Sequence, residues 1–205
     1  MVTTLSIPVL KKHWPNVRAI TTPSVVKHME TQLTPARFEG LWLKYFPGDQ
    51  IAQPQVPAES TDSNTFHIDR HECRAVEVGH SDTYDMMVLY VPSIHLVVAG
   101  DVVYGDVHQF FGEANTTEKR KEWLRTLDTF ESLNPHTVIA GHKRAGTVDG
   151  TFNLQSTREY IFAFEDAVKT SSKWEDLFAE IKDRYPGRIN LHAILARALV
   201  AFPAR

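Results

Sequence analysis

Three short apolar runs, each closing on a glycine and then a potential metal ligand, constrain this chain more than any other feature. Residues 76–79 lead into His80, residues 96–99 into Gly100-Asp101, and residues 137–140 into Gly141-His142. A fourth run, residues 86–91, lies between the first two and is turned by Pro92-Ser93. Short apolar runs bounded by Gly and Pro read as buried strands rather than helices. A His, an Asp and a second His therefore stand just past strand ends, where a rigid sheet presents chemistry. Imidazole with carboxylate is a ligand set suited to zinc or a similar metal. Taken singly, Gly-His or Gly-Asp at a strand end is also an ordinary turn.

Taken together, the three segments resemble a known family. Val78-Gly79-His80-Ser81-Asp82-Thr83, Val98-Ala99-Gly100-Asp101-Val102-Val103 and Ile139-Ala140-Gly141-His142 are similar, in order and spacing, to the later metal-ligand motifs of the metallo-β-lactamase superfamily. The resemblance implies an α+β chain with the αββα sandwich of that family. It further implies that His80 completes one metal site, Asp101 bridges two metals and His142 completes the other site. His80 and His142 then serve different ions. The family's first motif, His-x-His-x-Asp-His, occurs nowhere in the sequence. It would stand before a helix like residues 7–13, where the chain has only Met1-Val2-Thr3-Thr4-Leu5-Ser6. The expected fold is therefore an N-terminally truncated sandwich: one domain over residues 1–205, its first sheet incomplete, with residues 156–205 a helical C-terminal tail. The implied cofactor is zinc, as one or two ions, or none in so shortened a chain.

Three further residues accompany the ligands. Asp82 and Thr83 follow His80 in the family manner and either orient the ligand loop by hydrogen bonds or cap its turn. His108 lies in the loop after Asp101, which the resemblance places at the mouth of the site. It is read equally as a substrate contact and as an ordinary loop histidine.

The remaining sequence bounds the setting. The formal net charge is −3 with no long charge run, which gives no footprint for nucleic acid or an anionic membrane. The single cysteine, Cys73, falls in a strand and reads as a buried, inert thiol. No apolar run approaches a membrane span, and no secretory leader is visible, so the cytoplasm is the default expectation.

Taken in order, residues 7–14 have helical spacing and residues 17–21 suit a short strand. Thr22-Pro23 and Thr34-Pro35 each open a helix. The second carries an aromatic stripe, Phe38, Leu41, Trp42, Tyr45 and Phe46, expected in the core. Residues 50–64 read as loop and 66–69 as a half-buried strand, with His67 and His71 at the surface. Residues 118–133 form the clearest helix, with Thr117 as its cap and Trp123, Leu124, Leu127, Phe130 and Leu133 inward. The tail is helical from residue 157. Ser172-Lys173-Trp174-Glu175 reads as a capping box, and Asn190 as the cap of a last helix in which His192 is structural or exposed.

The expected function is hydrolysis of an ester, thioester, lactone or amide of a small molecule by metal-activated water. The alternative is a catalytically inactive, truncated relative acting as a binding or scaffold protein. An incomplete first sheet would leave apolar strand faces short of cover, which favours association. A homo-oligomer or a partner chain over that sheet is the expected companion, with no nucleic acid and no membrane.

Overall fold

The fold follows from a sheet whose strands are apolar on both faces. The computed structural model describes residues 2–202, within two compact units, Met1–Thr65 and Phe66–Arg205. The first unit holds helix α1 (Val2–His13), strand β1 (Ile20–Thr21), α2 (Pro23–Gln32), α3 (Pro35–Arg37), a π-helical turn (Phe38–Trp42), α4 (Leu43–Tyr45), a 3₁₀ turn (Gly48–Gln50) and β2 (Glu59–Ser60). β1 and β2 pair in parallel, with Ile20 opposite Glu59. The aromatic stripe does not form a core here. Phe38 is buried, but Tyr45 is 64% and Phe46 42% exposed. The wide turn between α3 and α4 shifts the helical phase, so the five residues no longer share one face.

The second unit is built on a five-stranded sheet in the order β3-β4-β5-β6-β7, comprising Thr65–Ile68, His71–Gly79, Met86–Val91, Leu96–Gly105 and Thr137–Lys143. β4, β5 and β6 form an antiparallel meander through a 3₁₀ turn at Pro92–Ile94. β7 returns parallel to β6. A parallel return needs a crossover, and α5 (Thr117–Ser132) supplies it. The tail is helical as expected: α6 (Phe152–Thr170), α7 (Trp174–Arg184) and α8 (Leu191–Ala201).

One sheet face, with Val88, Tyr90, Val97, Ala99, Val138 and Ala140, is buried in a core shared with Trp123, Leu127 and Phe130 of α5 and Tyr160, Ile161 and Phe164 of α6. The opposite face, with Met87, Leu89, Val91, Leu96, Val98 and Ile139, is half-buried. This two-sided apolar pattern is why the strands read as continuous runs rather than alternating ones. Arg120 and Glu165 form an ion pair at 2.5 Å that ties α5 to α6. No helix among the described residues is long and apolar enough to cross a membrane.

Several local expectations move by a residue or two. Thr116, not Thr117, caps α5, its hydroxyl accepting from the Lys119 amide at 3.3 Å. α7 starts after Lys173, and the Ser172 hydroxyl bonds the Asp176 carboxylate at 3.0 Å instead of closing a capping box. Asn190 stands at the start of α8 in the left-handed region and makes no side-chain cap. Cys73 is buried, and His67, His71 and His192 are exposed.

Trp123 is fully buried and donates its indole N–H to the Val102 carbonyl at 2.9 Å. Trp123→Ala is expected to cost about 3–5 kcal/mol, through the cavity and the stranded carbonyl. A chemical-denaturation midpoint unchanged from wild type would contradict this account of the core.

Candidate functional site

The strand ladders set the site. β6 and β7 run in register from Leu96↔Thr137 to Val98↔Ile139, but the pairing then steps from Gly100↔Ala140 to Tyr104↔His142. β6 thus spends extra residues against a short length of β7, a bulge that re-aims side chains. Gly100 makes this possible at φ +53°, a backbone that side chains disfavour. Gly141 makes it possible by size, since a Cβ there would lie 2.4 Å from the Gly100 carbonyl oxygen and 2.7 Å from Asp101 Oδ1. The bulge corrects the sequence reading. β6 continues to Gly105 and β7 to Lys143, so Asp101 and His142 lie within strands rather than beyond their ends. Only His80 follows its strand, β4, as expected.

The structure brings Asp101 and His142 together, with His142 Nε2 3.2 Å from Asp101 Oδ1. Burial alone would raise the Asp101 carboxyl, but the hydrogen bond and charge of His142 outweigh it and hold it below the usual range. The same hydrogen bond raises the His142 imidazole against its own burial.

Asp82 belongs to this cluster rather than to a turn. It is buried, its Oδ2 accepts from the Tyr104 hydroxyl at 3.3 Å, and its Oδ1 has no hydrogen-bond partner. Burial first, and then the Asp101 charge, push its carboxyl up to about 7. Tyr104 is raised well above its ordinary value by burial and by these two carboxylates, and its ring lies 5.3 Å from that of His142.

His80 sits on the neighbouring loop. Its Nδ1 donates to the Ser81 carbonyl at 2.7 Å, which leaves the Nε2 lone pair free. That Nε2 is buried and has no partner. The loop is held from outside: the Thr126 hydroxyl of α5 lies 2.7 Å from the Val78 carbonyl and 2.8 Å from that of His80. Thr83 secures the far end, donating to Glu113 Oε2 at 2.5 Å. Thr83 is therefore an anchor between loops, and the Ser81 amide bonds its carbonyl at 2.8 Å.

A metal fits this donor set only in part. His80 carries an oriented, unpartnered nitrogen of the kind a ligand histidine needs, and the buried Asp82 carboxyl feels the charge of Asp101. Yet among the described residues no three His, Cys, Asp or Glu side chains are grouped so as to hold one ion. His80, Asp101 and His142 are not grouped about a single point.

His108 does not line an opening. It is 0% exposed, and its Nδ1 lies 2.9 Å from the Tyr160 hydroxyl. No substrate reaches it as the chain is folded, so the contact reading gives way to a core histidine. Burial, then the Arg188 cation, hold its imidazole down to about 4.

Sequence reasoning missed Tyr104 and Thr126. Thr126 had a signal, as a hydroxyl beside the apolar stripe of Trp123, Leu127 and Phe130. Tyr104 had none, because only the bulge turns it toward Asp82.

Gly141→Ala is expected to cost about 1–3 kcal/mol by overpacking and to part Asp101 from His142. NMR titration should then find His142 back near its ordinary value; an unmoved His142 would contradict the close-approach account. His108 gives a separate outcome. Its folded value lies below the unfolded one, so the unfolded chain binds a proton that the fold refuses. The stabilisation is complete above about pH 6.5 and is lost as pH falls toward 4. Denaturation between these limits should show a steeper pH slope for wild type than for His108→Gln, and equal slopes would refute it.

No protein-family model and no curated protein matches the sequence. Solved structures do match. A metallo-β-lactamase family protein from Thermus thermophilus aligns at a TM-score of 0.60 and 17% identity, over 90% of this chain and 65% of that one. The DIM-1 metallo-β-lactamase is 18% identical at a TM-score of 0.49, over 78% and 62% of the two chains. A metallo-β-lactamase from Pontibacter korlensis is 16% identical at 0.48, over 75% and 61%. The chain thus spans between 61% and 65% of the length of these structures. On the likeness to the Thermus protein, the chain has the α+β fold of the metallo-β-lactamases.

Proposed function

We propose that this chain carries part of the centre of a metal-dependent hydrolase, with His80, Asp101 and His142 as metal ligands. The carrying observation is the His80 imidazole, fixed through Nδ1 on the Ser81 carbonyl and holding a buried Nε2 without a partner. The paired Asp101 and His142, with Asp82 beside them, support the same reading by gathering negative charge that a cation would neutralise. Zinc suits two imidazoles and a carboxylate. When bound, such a metal lowers the pKa of a water molecule and polarises a carbonyl.

The chain's own residues have defined tasks in this proposal. Thr126 and Thr83 fix the loop that offers His80. Tyr104 orients Asp82 by its hydroxyl. Gly100 and Gly141 keep Asp101 and His142 in reach of one another. The proposed bond class is an ester, thioester, lactone or amide of a small molecule. Further ligands come from outside this set, and a second copy or a partner chain is the proposed source.

A second reading, a binding or scaffold protein without catalysis, is favoured by one observation: no three donors are grouped among the described residues. Metal content discriminates the two. The hydrolase reading expects about one weakly held zinc per isolated chain, its loss in Asp101→Ala, and ester or thioester hydrolysis only in zinc-loaded protein. No zinc after dialysis against excess metal would sink that reading and leave the scaffold. Zinc content unchanged in Asp101→Ala would sink the ligand assignment.

A further inference from the structure

The segment after β6 is fastened residue by residue. Val107, His108, Gln109 and Phe111 are all buried. The Val107 carbonyl accepts from Arg188 at 2.9 Å, and Gln109 Nε2 donates to the Thr157 carbonyl at 3.0 Å. The Phe111 ring lies 4.3 Å from that of Phe164 and 5.6 Å from that of Trp123. Amid these anchors Phe110 points outward and is 39% exposed.

Phe110 is exposed but not loose. Its ring lies over Gly112, where an added Cβ would come 2.0 Å from ring Cζ. Any residue larger than glycine at 112 would displace the ring. Glu113, three residues after Phe110, bonds Thr83 of the loop that carries His80. Tyr84, also partly exposed, follows on that same loop.

A single exposed apolar side chain is ordinary on a protein surface. One clamped against a glycine, on a loop bonded through Glu113 to the loop that carries His80, calls for a different account. A preordered aromatic ring loses little freedom when a ligand covers it and offers a large apolar area. We infer that Phe110 is a specificity-determining wall beside the site, receiving an aliphatic or aromatic part of the substrate next to its carbonyl. The inference rests on the proposed hydrolase reading for the word substrate, but the apolar subsite stands or falls independently.

The test uses two carboxylates that mimic hydrolysis products, sodium acetate and sodium decanoate, titrated into the full chain by calorimetry. Wild type should bind decanoate at least about tenfold more tightly than acetate, in keeping with the apolar area buried. Phe110→Ala should lose about tenfold in decanoate affinity with acetate unchanged, and Phe110→Leu should recover most of it. Gly112→Ala should produce the same loss by pushing the ring aside. The Phe110 ring lies outside the buried core, so the melting midpoint of Phe110→Ala should match wild type. Wild-type affinity for decanoate in Phe110→Ala overturns the inference, as does equal binding of acetate and decanoate by wild type. If zinc-loaded protein hydrolyses the p-nitrophenyl esters of both acids, Phe110→Ala should raise KM for the decanoate alone and leave kcat unchanged. If it hydrolyses neither while decanoate selectivity still depends on Phe110, the hydrolase reading fails and the apolar subsite stands.

Discussion

The second unit depends on one irregularity, the bulge by which β6 overruns β7 beside Gly141. Parallel pairing from Leu96 to Gly100 lays the two strands side by side. Continued in perfect register, that ladder would alternate side chains between faces, and Asp101 and His142 would be placed by strand period alone. The extra residues break the alternation. Gly100 supplies the left-handed backbone and Gly141 the missing Cβ, so a carboxylate and an imidazole meet at 3.2 Å. Helices α5 and α6 back the sheet behind this irregularity, through a core in which Trp123, Phe130, Tyr160 and Phe164 are all buried.

The electrostatic character of the cluster follows from that meeting. Asp101 gains His142 and stays ionised. Asp82 has burial and a neighbouring charge against it, which His142 and Tyr104 offset only in part. Two carboxylates kept near each other in a desolvated place are costly without a counter-charge. His80 offers the complementary feature, a lone pair without a proton to meet it. The loops around these groups are tied to the helical layer at Thr126 and to one another at Thr83 and Glu113.

Much of this was legible in the residues. Apolar runs bounded by Gly and Pro located β5 to the residue and placed β4, β6 and β7. The spacing of Trp123, Leu127 and Phe130 located α5. The order His80, Asp101, His142 with their glycines pointed to the fold, which the likeness to the Thermus protein bears out. What misled was local pattern without tertiary context. The stripe from Phe38 to Phe46 has helical spacing, but a π turn divides it and leaves Tyr45 and Phe46 exposed. His108 sat in a loop beside the site, but the loop folds inward there and Tyr160 receives it.

Sequence alone determined most of the elements and the order of His80, Asp101 and His142 along them, because strand period, helix period and the conformational licence of glycine are properties of neighbouring residues. It also determined that the strands would be apolar on both faces. Tertiary structure decided how these side chains relate. The register step between β6 and β7, the meeting of Asp101 with His142, the turning of Tyr104 toward Asp82 and the outward pose of Phe110 over Gly112 all depend on contacts between residues near or far in the chain. No periodicity encodes them. They arise from packing one strand and one helical layer against another, where a single missing Cβ changes which side chains can touch.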